Sequence, residues 1–383
     1  MTTHREIVRG LTRAADEGES VVLATVVRIT GSSYGGVGAR MLIQRDSSTI
    51  GLVSGGCLES DLAEHARRVY ETGVADLVRY DTRDDDDAPW GLGLGCNGLI
   101  DVLLEPVSPA QGRDLAMIIE RSLASDSPSV IATVIRVADS DASSPAIGGH
   151  VLLASGELQT VGRWGSGDFL ADVAQHLDEA LAMGRRGLVK EFGTIEVAFE
   201  VVTPAVSLII CGTGPDAAPV VRFASQLGWG VTVVDHRPLT DTHIARFPGA
   251  RVVQCKEPLQ LAEVVALNAR SAAVVMSHHF PRDRDYVKAL LDADIAYLGV
   301  LGPRARTERM LADIATINPQ PPTIGERFFA PVGLDLGGEG PDAIALAIIS
   351  QVSAVTNGRG GGHLRDKRAP LHSSSHPATA ARV

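Results

Sequence analysis

Two cysteines stand in glycine-rich turns, and their thiols are the clearest candidates for chemistry in this chain. Cys57 follows Ser54, Gly55 and Gly56 directly, and Cys96 lies between Gly95 and Asn97. Thiolate is the form of cysteine that attacks electrophiles and binds metals, and the helix predicted to begin at Cys57 favours that form. The sequence therefore indicates either catalytic or metal-binding thiols, or two small apolar residues in tight turns.

An internal duplication separates these thiols from the framework. Residues 22–28 (Val-Leu-Ala-Thr-Val-Val-Arg) recur as residues 130–136 (Val-Ile-Ala-Thr-Val-Ile-Arg), and further matches follow in the same order. In the second copy Asp168 stands in the place of Cys57, and the stretch that holds Cys96 has no counterpart. The scaffold is thus used twice, but both cysteines belong to the first copy.

A glycine fingerprint follows a short apolar strand in the last part of the chain. Gly212 begins a GxGxxA pattern, in which Gly214 would let the backbone approach a diphosphate at a helix N-terminus. Asp235 ends the next strand, where an acid meets ribose hydroxyls in such folds. Pro215 has no amide donor and Asp216 adds a negative charge, so the sequence leaves open whether this loop binds a nucleotide.

Two later loops are predicted at the same edge of the sheet. Ser277 and His278 follow one strand, and His278 could serve as a ligand or as an acid/base group. Gly302 and Arg304 follow another strand and could hold a phosphate. The alternatives are a structural histidine and a solvated arginine at a helix start.

The elements that position these residues are predicted from β-branched runs, glycine turns and helical spacing. The first copy reads as strands at 21–31, 39–45, 49–53, 76–81 and 99–106, with a helix at 57–72. If its first strands pair as a meander, Arg40 adds a charge near Cys57. A helix at 110–125 links to the second copy, which repeats this order with a helix at 168–183.

After residue 204 strands and helices alternate, which is typical of a doubly wound parallel sheet. We therefore predict an α/β protein with an N-terminal duplicated α+β region and a C-terminal Rossmann-like doubly wound domain. The predicted boundaries are 1–108, 109–204 and 205–356, with a mobile tail at 357–383.

Composition narrows the class of protein. The chain has 383 residues and a formal net charge of −11, which argues against nucleic-acid binding. The sequence contains no apolar run long enough to span a membrane and no signal-peptide core near Met1, so we expect a cytoplasmic protein. Four cysteines without CxxC spacing argue against a disulfide scaffold and against a self-contained zinc site. Cys211 and Cys255 end apolar strands, and we predict that they are core residues.

Taken in order, the motifs resemble the XdhC/CoxI family, accessory factors that mature molybdenum hydroxylases such as xanthine dehydrogenase. The motifs that carry the resemblance are residues 31–33, 38–41, 54–59, 95–98, 211–214, 235–237, 298–302 and 331–337. The resemblance covers most of the chain. The chain departs from the family pattern at two places. Residues 34–36 stand where the family often has basic residues, and Pro303 stands where it often has serine.

The resemblance implies a protein that binds the molybdenum–pterin cofactor, holds it while a terminal sulfur is added, and delivers it to an apo molybdenum hydroxylase. Cys57 and Cys96 would lie near the molybdenum or the sulfur in transit, with Cys57 as the metal contact. The cofactor-binding residues would be Ser54, Gly55, Gly56, Gly95, Gly212, Gly214, Asp235, Arg237, Ser277, His278, Gly302 and Arg304. A cysteine desulfurase and a second copy of the chain are further expected partners. The cofactor form, mononucleotide or cytosine dinucleotide, stays open.

Two other functions remain as alternatives. One is an NAD(P)-dependent oxidoreductase in which Cys57 or His278 serves catalysis, which rests on the fold alone. The other is a sulfur-handling or regulatory protein that kept the scaffold. The resemblance favours a cofactor-binding maturation factor over a turnover enzyme, and without a set of iron–sulfur cysteines the chain should not itself hydroxylate xanthine. We expect the ligand between the loops of the first copy and the Rossmann crevice.

Overall fold

The computed structural model describes residues 2–31, 35–81, 98–125, 127–138, 143–183, 187–317 and 325–367. These residues form two compact units, Thr2–Pro204 and Ala205–Asp366. Both predicted copies fall in the first unit, and the predicted Rossmann domain falls in the second. Residues 357–367, the start of the predicted tail, include a 3-10 turn at Leu364–Asp366. The rest of that tail lies outside the described residues.

The first unit contains two five-stranded antiparallel sheets of the same design. Its elements are α1 (Thr2–Glu17), β1 (Val21–Gly31), β2 (Arg40–Ile43), β3 (Thr49–Gly51), α2 (Glu59–Thr72), β4 (Asp76–Asp81), β5 (Gly98–Val107), α3 (Pro109–Ala124), β6 (Ser129–Val137), β7 (His150–Ala154), β8 (Glu157–Val161), α4 (Gly167–Met183), β9 (Gly187–Phe192) and β10 (Ile195–Val202). The strand orders are β3-β2-β1-β5-β4 and β8-β7-β6-β10-β9. The repeated sequence therefore folds into a repeated sheet.

Helix α1 is the element of this unit that we did not predict. Its sequence is polar overall, but Ile7, Leu11 and Ala14 recur at helical spacing and are buried. They pack in one apolar cluster with residues of α3 and of both sheets. Helix α3 begins at a capping box in which the Ser108 and Gln111 side chains satisfy each other's backbone N–H groups.

A buried ion pair and a buried hydrogen bond between histidine and glutamate join the copies reciprocally. Arg40 of β2 donates to Glu200 of β10, with one N–O distance of 3.0 Å. At the equivalent position of β7, His150 lies 2.9 Å from Glu105 of β5. Arg40 stands opposite Thr25 on β1, and His150 stands opposite Thr133 on β6. Each copy thus supplies the partner of the other, which explains why the two copies form one unit.

The second unit is a parallel sheet with helices on both faces. Its elements are β11 (Ser207–Cys211), α5 (Ala217–Gln226), β12 (Gly230–Asp235), α6 (Asp241–Ala245), β13 (Arg251–Gln254), α7 (Leu261–Val264), β14 (Ser271–Val275), α8 (Phe280–Leu291), β15 (Tyr297–Val300), α9 (Arg304–Ile317), β16 (Phe328–Phe329) and α10 (Pro341–Thr356). The strand order is β13-β12-β11-β14-β15-β16. The predicted fold class is confirmed, and only the short edge strand β16 was not foreseen.

Strands β11 to β13 follow one another toward one edge of the sheet, and β14 to β16 follow one another toward the other edge. In open parallel sheets a ligand crevice lies at such a switch point, outside the carboxyl ends of the strands. The fingerprint loop follows β11 and the Ser277–His278 loop follows β14, so both border this crevice. None of the helices among the described residues has the length and apolar character required to span a membrane.

Candidate functional site

Cys57 lies in an open turn between β3 and α2. Gly55 and Gly56 have φ angles of 86° and 111°, which glycine adopts without strain. We predicted that α2 begins at Cys57; its first residue is Glu59, so Cys57 lies two residues before the helix. The side chain of Cys57 is exposed, and a Cβ atom added at Gly56 would meet nothing within 4 Å. A bulky group can therefore approach this thiol from solvent.

The carboxylate of Glu59 organises the Cys57 turn. It accepts hydrogen bonds from the backbone N–H groups of Val53, Ser54, Gly56 and Leu58 at 2.8–3.2 Å, and from the Ser54 hydroxyl at 2.6 Å. Partial burial acts to raise the pKa of Glu59, but these hydrogen bonds outweigh it and the pKa lies below its usual range. The amides of Ser54 and Gly56, which we predicted to bind the cofactor, are thus bound to Glu59. An acid in the first helical turn was the signal for this role.

The predicted surroundings of Cys57 need one correction. Strands β1, β2 and β3 do form the predicted antiparallel meander. A Cβ atom at Gly35 would lie 2.5 Å from the Val53 carbonyl oxygen, so the β1–β2 loop packs against the Cys57 turn. Arg40, however, is buried and ion-paired with Glu200, so its charge is already matched inside the fold. Ser32, Ser33, Gly95 and Cys96 lie outside the described residues.

A polar network links α2 to β4 in the same copy. The Tyr80 hydroxyl donates to Asp61 at 2.6 Å, and His65 Nδ1 lies 3.1 Å from an Asp76 carboxylate oxygen. Burial and the neighbouring Asp61 raise the pKa of Tyr80. In the second copy His176 matches His65 but packs edge-on against the Phe192 ring. This network, which we did not predict, belongs to the copy that carries Cys57.

Cys211 and Cys255 are buried in the second unit, at the ends of β11 and β13. Burial raises the pKa of both thiols, which is expected of inert core cysteines. Our prediction that they are core residues is confirmed. Across the described residues, no group of three or more His, Cys, Asp or Glu side chains has a metal-binding arrangement.

Gly212 sits where β11 and β14 approach each other. Its φ angle is 135°, and a Cβ atom would lie 2.6 Å from the carbonyl oxygen of Met276. No other residue type fits both the backbone angle and the close approach. The fingerprint loop and the Ser277–His278 loop are thus in contact at the switch point.

Asp235 is buried directly below this loop, with both oxygens engaged. Arg237 donates to it through its backbone N–H at 2.9 Å and through its guanidinium at 2.8 and 3.0 Å. Thr213 donates through its backbone N–H at 3.1 Å and through its hydroxyl. Burial opposes ionisation, but these bonds hold the pKa of Asp235 well below its usual range. A ribose hydroxyl would have to displace Arg237 or Thr213, so ligand binding by Asp235 and Arg237 stays a prediction.

Asp216 fills the space above the second fingerprint glycine. A Cβ atom at Gly214 would overlap the Asp216 carboxylate. One carboxylate oxygen lies 2.7 Å from Nε2 of His278, and the other is buried without a hydrogen-bond partner among the described residues. His278 itself adopts a left-handed backbone conformation, with φ of 59°. A diphosphate that approached Gly214 would therefore meet a carboxylate.

The two later loops are joined by a buried carboxylate. Asp283 accepts from the Ser277 hydroxyl at 2.5 Å and from the guanidinium of Arg306 at 2.8 Å. Gly302 has a φ of 129° and lies beside the Arg306 side chain. Arg304, the arginine that we selected, is 81% exposed and lies 3.9 Å from Glu308. Arg306 is thus the arginine that binds Asp283. The sequence alone does not show that Arg306, and not Arg304, has this contact.

Comparison with known proteins supports one family for the whole chain. Residues 14–81 match the family model described as "XdhC and CoxI family", and residues 208–352 match the model described as "XdhC Rossmann domain". A Bacillus subtilis relative, named as a probable xanthine dehydrogenase subunit, is 30% identical over 88% of this chain and 93% of its own length. The molybdenum cofactor insertion chaperone PaoD of Escherichia coli is 25% identical over 92% of this chain and 88% of its own length.

A solved structure agrees. A crystal structure from Bacillus halodurans, described as a xanthine dehydrogenase, is 30% identical in sequence and superposes with a TM-score of 0.73. The match covers 92% of this chain and 96% of that one. The resemblance found in the sequence motifs is confirmed: this chain belongs to the XdhC and CoxI family.

Proposed function

We propose that this protein binds the molybdenum–pterin cofactor as cargo and delivers it to an apo molybdenum hydroxylase of the xanthine dehydrogenase type. The family supports this proposal, and so do the names of two relatives, one that refers to xanthine dehydrogenase and one that refers to cofactor insertion. The observation that carries it is the exposed thiol of Cys57 in a glycine-opened turn. The second copy lacks this thiol and has Asp168 in its place.

The chemistry of the turn suits this cargo. Thiolate is a soft ligand that matches molybdenum and dithiolene sulfur. Cys57 would contact the metal or the sulfur in transit, and Ser54, Gly55 and Gly56 would border the cargo. Cys96 and Gly95 would complete this end. The protein would hold the cofactor while a cysteine desulfurase supplies the terminal sulfur. We also propose that delivery takes place in the cytoplasm and that the protein acts as a homodimer, without membrane or nucleic acid.

The alternative is an NAD(P)-dependent oxidoreductase, favoured by the fingerprint after β11. Three features of the crevice oppose it. The carboxylate of Asp216 lies over Gly214, Pro215 lacks an amide donor, and the Asp235 oxygens are already bound. A nucleotide diphosphate would meet a negative charge where such folds offer amide donors. This geometry supports the cofactor carrier over the dehydrogenase.

Anaerobic equilibrium dialysis tests the proposal. Purified full-length protein is dialysed against molybdenum cofactor in either form, with NAD and NADH in parallel. We expect cofactor retention that weakens about tenfold or more in Cys57→Ser, the loss of one strong ligand contact. Asp168→Ser, the equivalent exposed position of the second copy, is the matched control and should retain the cofactor. Nucleotide binding without cofactor binding would establish the alternative instead.

A further inference from the structure

Basic side chains from two loops of the second unit lie beside the end of β12. His236 follows β12, Lys256 follows β13, and His279 and Arg282 lie at the start of α8. The rings of His236 and His279 are 5.8 Å apart, and the Arg282 guanidinium lies 3.5 Å from the Lys256 carbonyl oxygen. We call His236, His279 and Arg282 the His236 cluster.

The guanidinium of Arg282 is only weakly matched by the acidic side chains around it. Asp235 lies 3.3 Å from His236, but its oxygens are bound by Arg237 and Thr213. Glu257 lies 3.6 Å from Arg282 and is 67% exposed, so this contact is weak in water.

His236 makes only an imperfect contact with Asp235. Its side chain is 19% exposed, and its buried Nδ1 atom lies 3.3 Å from an Asp235 oxygen without forming a hydrogen bond with any described residue. Burial lowers the pKa of His236, and although Asp235 opposes this, the charges of Arg282, Arg237 and His279 lower it further. A nearby anion would favour the protonated form of His236.

The fingerprint loop, in contrast, would present the carboxylate of Asp216 to an anion. Two adjacent histidines have different neighbours: His278 is hydrogen-bonded to Asp216, and the ring of His279 lies beside that of His236. An anionic ligand that enters at the switch point therefore meets repulsion beside Asp216 and attraction beside the His236 cluster.

We propose that the His236 cluster is a phosphate-binding subsite, which takes the phosphate end of a phosphomonoester or diphosphate ligand. Arg282 would supply charge-assisted N–H donors in a fork, and the two imidazoles would add further donors. If the ligand is the pterin cofactor, which rests on the proposed function, its phosphate end lies here and not on the glycine loop.

A titration of the full-length protein with inorganic phosphate tests this subsite. Binding is monitored by NMR of the histidine rings and by calorimetry. We expect phosphate to shift the His236 and His279 ring signals. Arg282→Gln should weaken binding about tenfold or more, as loss of a charge-assisted hydrogen bond does. Arg284→Gln removes the same charge two residues later, from an arginine paired with Asp285, and should leave binding unchanged.

A second variant, His279→Gln, changes an exposed side chain and should weaken phosphate binding without affecting folding. Pyrophosphate in a parallel arm distinguishes the sources: tighter pyrophosphate binding points to a dinucleotide ligand, and tighter phosphate binding to a monoester. Phosphate affinity that is unchanged in both Arg282→Gln and His279→Gln, or equally reduced in Arg284→Gln, would overturn the subsite whether or not the cofactor is retained. Phosphate binding at the cluster without cofactor retention would support the subsite and overturn the proposed cargo.

Discussion

Three carboxylates lie in loops that the sequence pattern assigns to ligands. Glu59 closes the Cys57 turn by accepting its amides, and Asp216 lies beside the second glycine of the fingerprint loop. The carboxylate oxygens of Asp235 accept hydrogen bonds from Arg237 and Thr213. Glu59 takes amide donors that the sequence pattern assigns to a ligand, Asp216 adds a negative charge where the pattern expects an anion, and Asp235 already has partners of its own.

Glu59→Gln should destabilise the Cys57 turn. A neutral amide is a weaker acceptor for four backbone N–H groups, so we expect a loss of about 1 kcal/mol in the free energy of unfolding at pH 7. The pKa of Glu59 is lowered on folding, so this contribution is present above its ordinary value of 4.5 and is lost as pH falls below it. Urea unfolding at pH 7 and pH 4 measures both effects. Glu64→Gln, on the exposed face of α2, is the control; a loss that persists unchanged at pH 4 would contradict the role of the charge.

Asp216→Ala should admit a diphosphate to the fingerprint loop. Removing a like charge about 4 Å from a phosphate removes roughly 1 kcal/mol or more of repulsion, so NADH affinity should rise by about tenfold. Fluorescence titration with NADH measures this. Asp342→Ala, which removes an acid from the first turn of α10, should have no effect. Equal NADH affinity in the wild type and in Asp216→Ala would show that Asp216 does not exclude the nucleotide.

At the level of elements, the duplicated sheets depend on each other through glycines beside glutamates. Gly148, with φ of 80°, would place a Cβ atom 2.6 Å from the Glu105 carboxylate, and Gly38 faces Glu200 in the same way. These glycines let the strands of one copy approach the buried acid of the other. The duplication is therefore present in the structure as well as in the sequence, and the chemical difference between the copies lies in their loops.

Gly148→Ala should destabilise the first unit more than Gly156→Ala does. Both glycines have left-handed φ angles, 80° and 78°, but a Cβ atom at Gly156 would meet nothing within 4 Å. The control variant bears only the backbone strain, roughly 1–2 kcal/mol. Gly148→Ala adds a clash with Glu105, for which overpacking costs about 1–3 kcal/mol. Chemical unfolding of the full chain compares them; equal costs would mean that Glu105 moves aside freely.

For the whole molecule, the two units divide the proposed tasks. The exposed thiol and its Glu59-bound turn belong to the first unit, and the His236 cluster belongs to the second. Each site is organised by contacts inside its own unit.

The two sites should therefore respond independently to substitution. Cys57→Ser should leave phosphate affinity unchanged, and Arg282→Gln should leave the alkylation rate of Cys57 unchanged. Calorimetry and mass spectrometry of the Cys57 peptide measure these quantities in the full chain. A several-fold change of either quantity in the other variant would show that the units are coupled.

The sequence by itself determined the duplication, the succession of strands and helices along each copy and the Rossmann-like half, because these depend on local patterns of apolar residues and glycine turns. It did not reveal α1, whose apolar stripe is hidden in a polar stretch. Only the tertiary structure decided which polar groups are already partnered. Arg40 and Glu200 are 160 residues apart in the chain, and Asp216 and His278 are 62 apart. Such pairs form because folding buries charges that must then be matched, and no local spacing records which distant side chain does so.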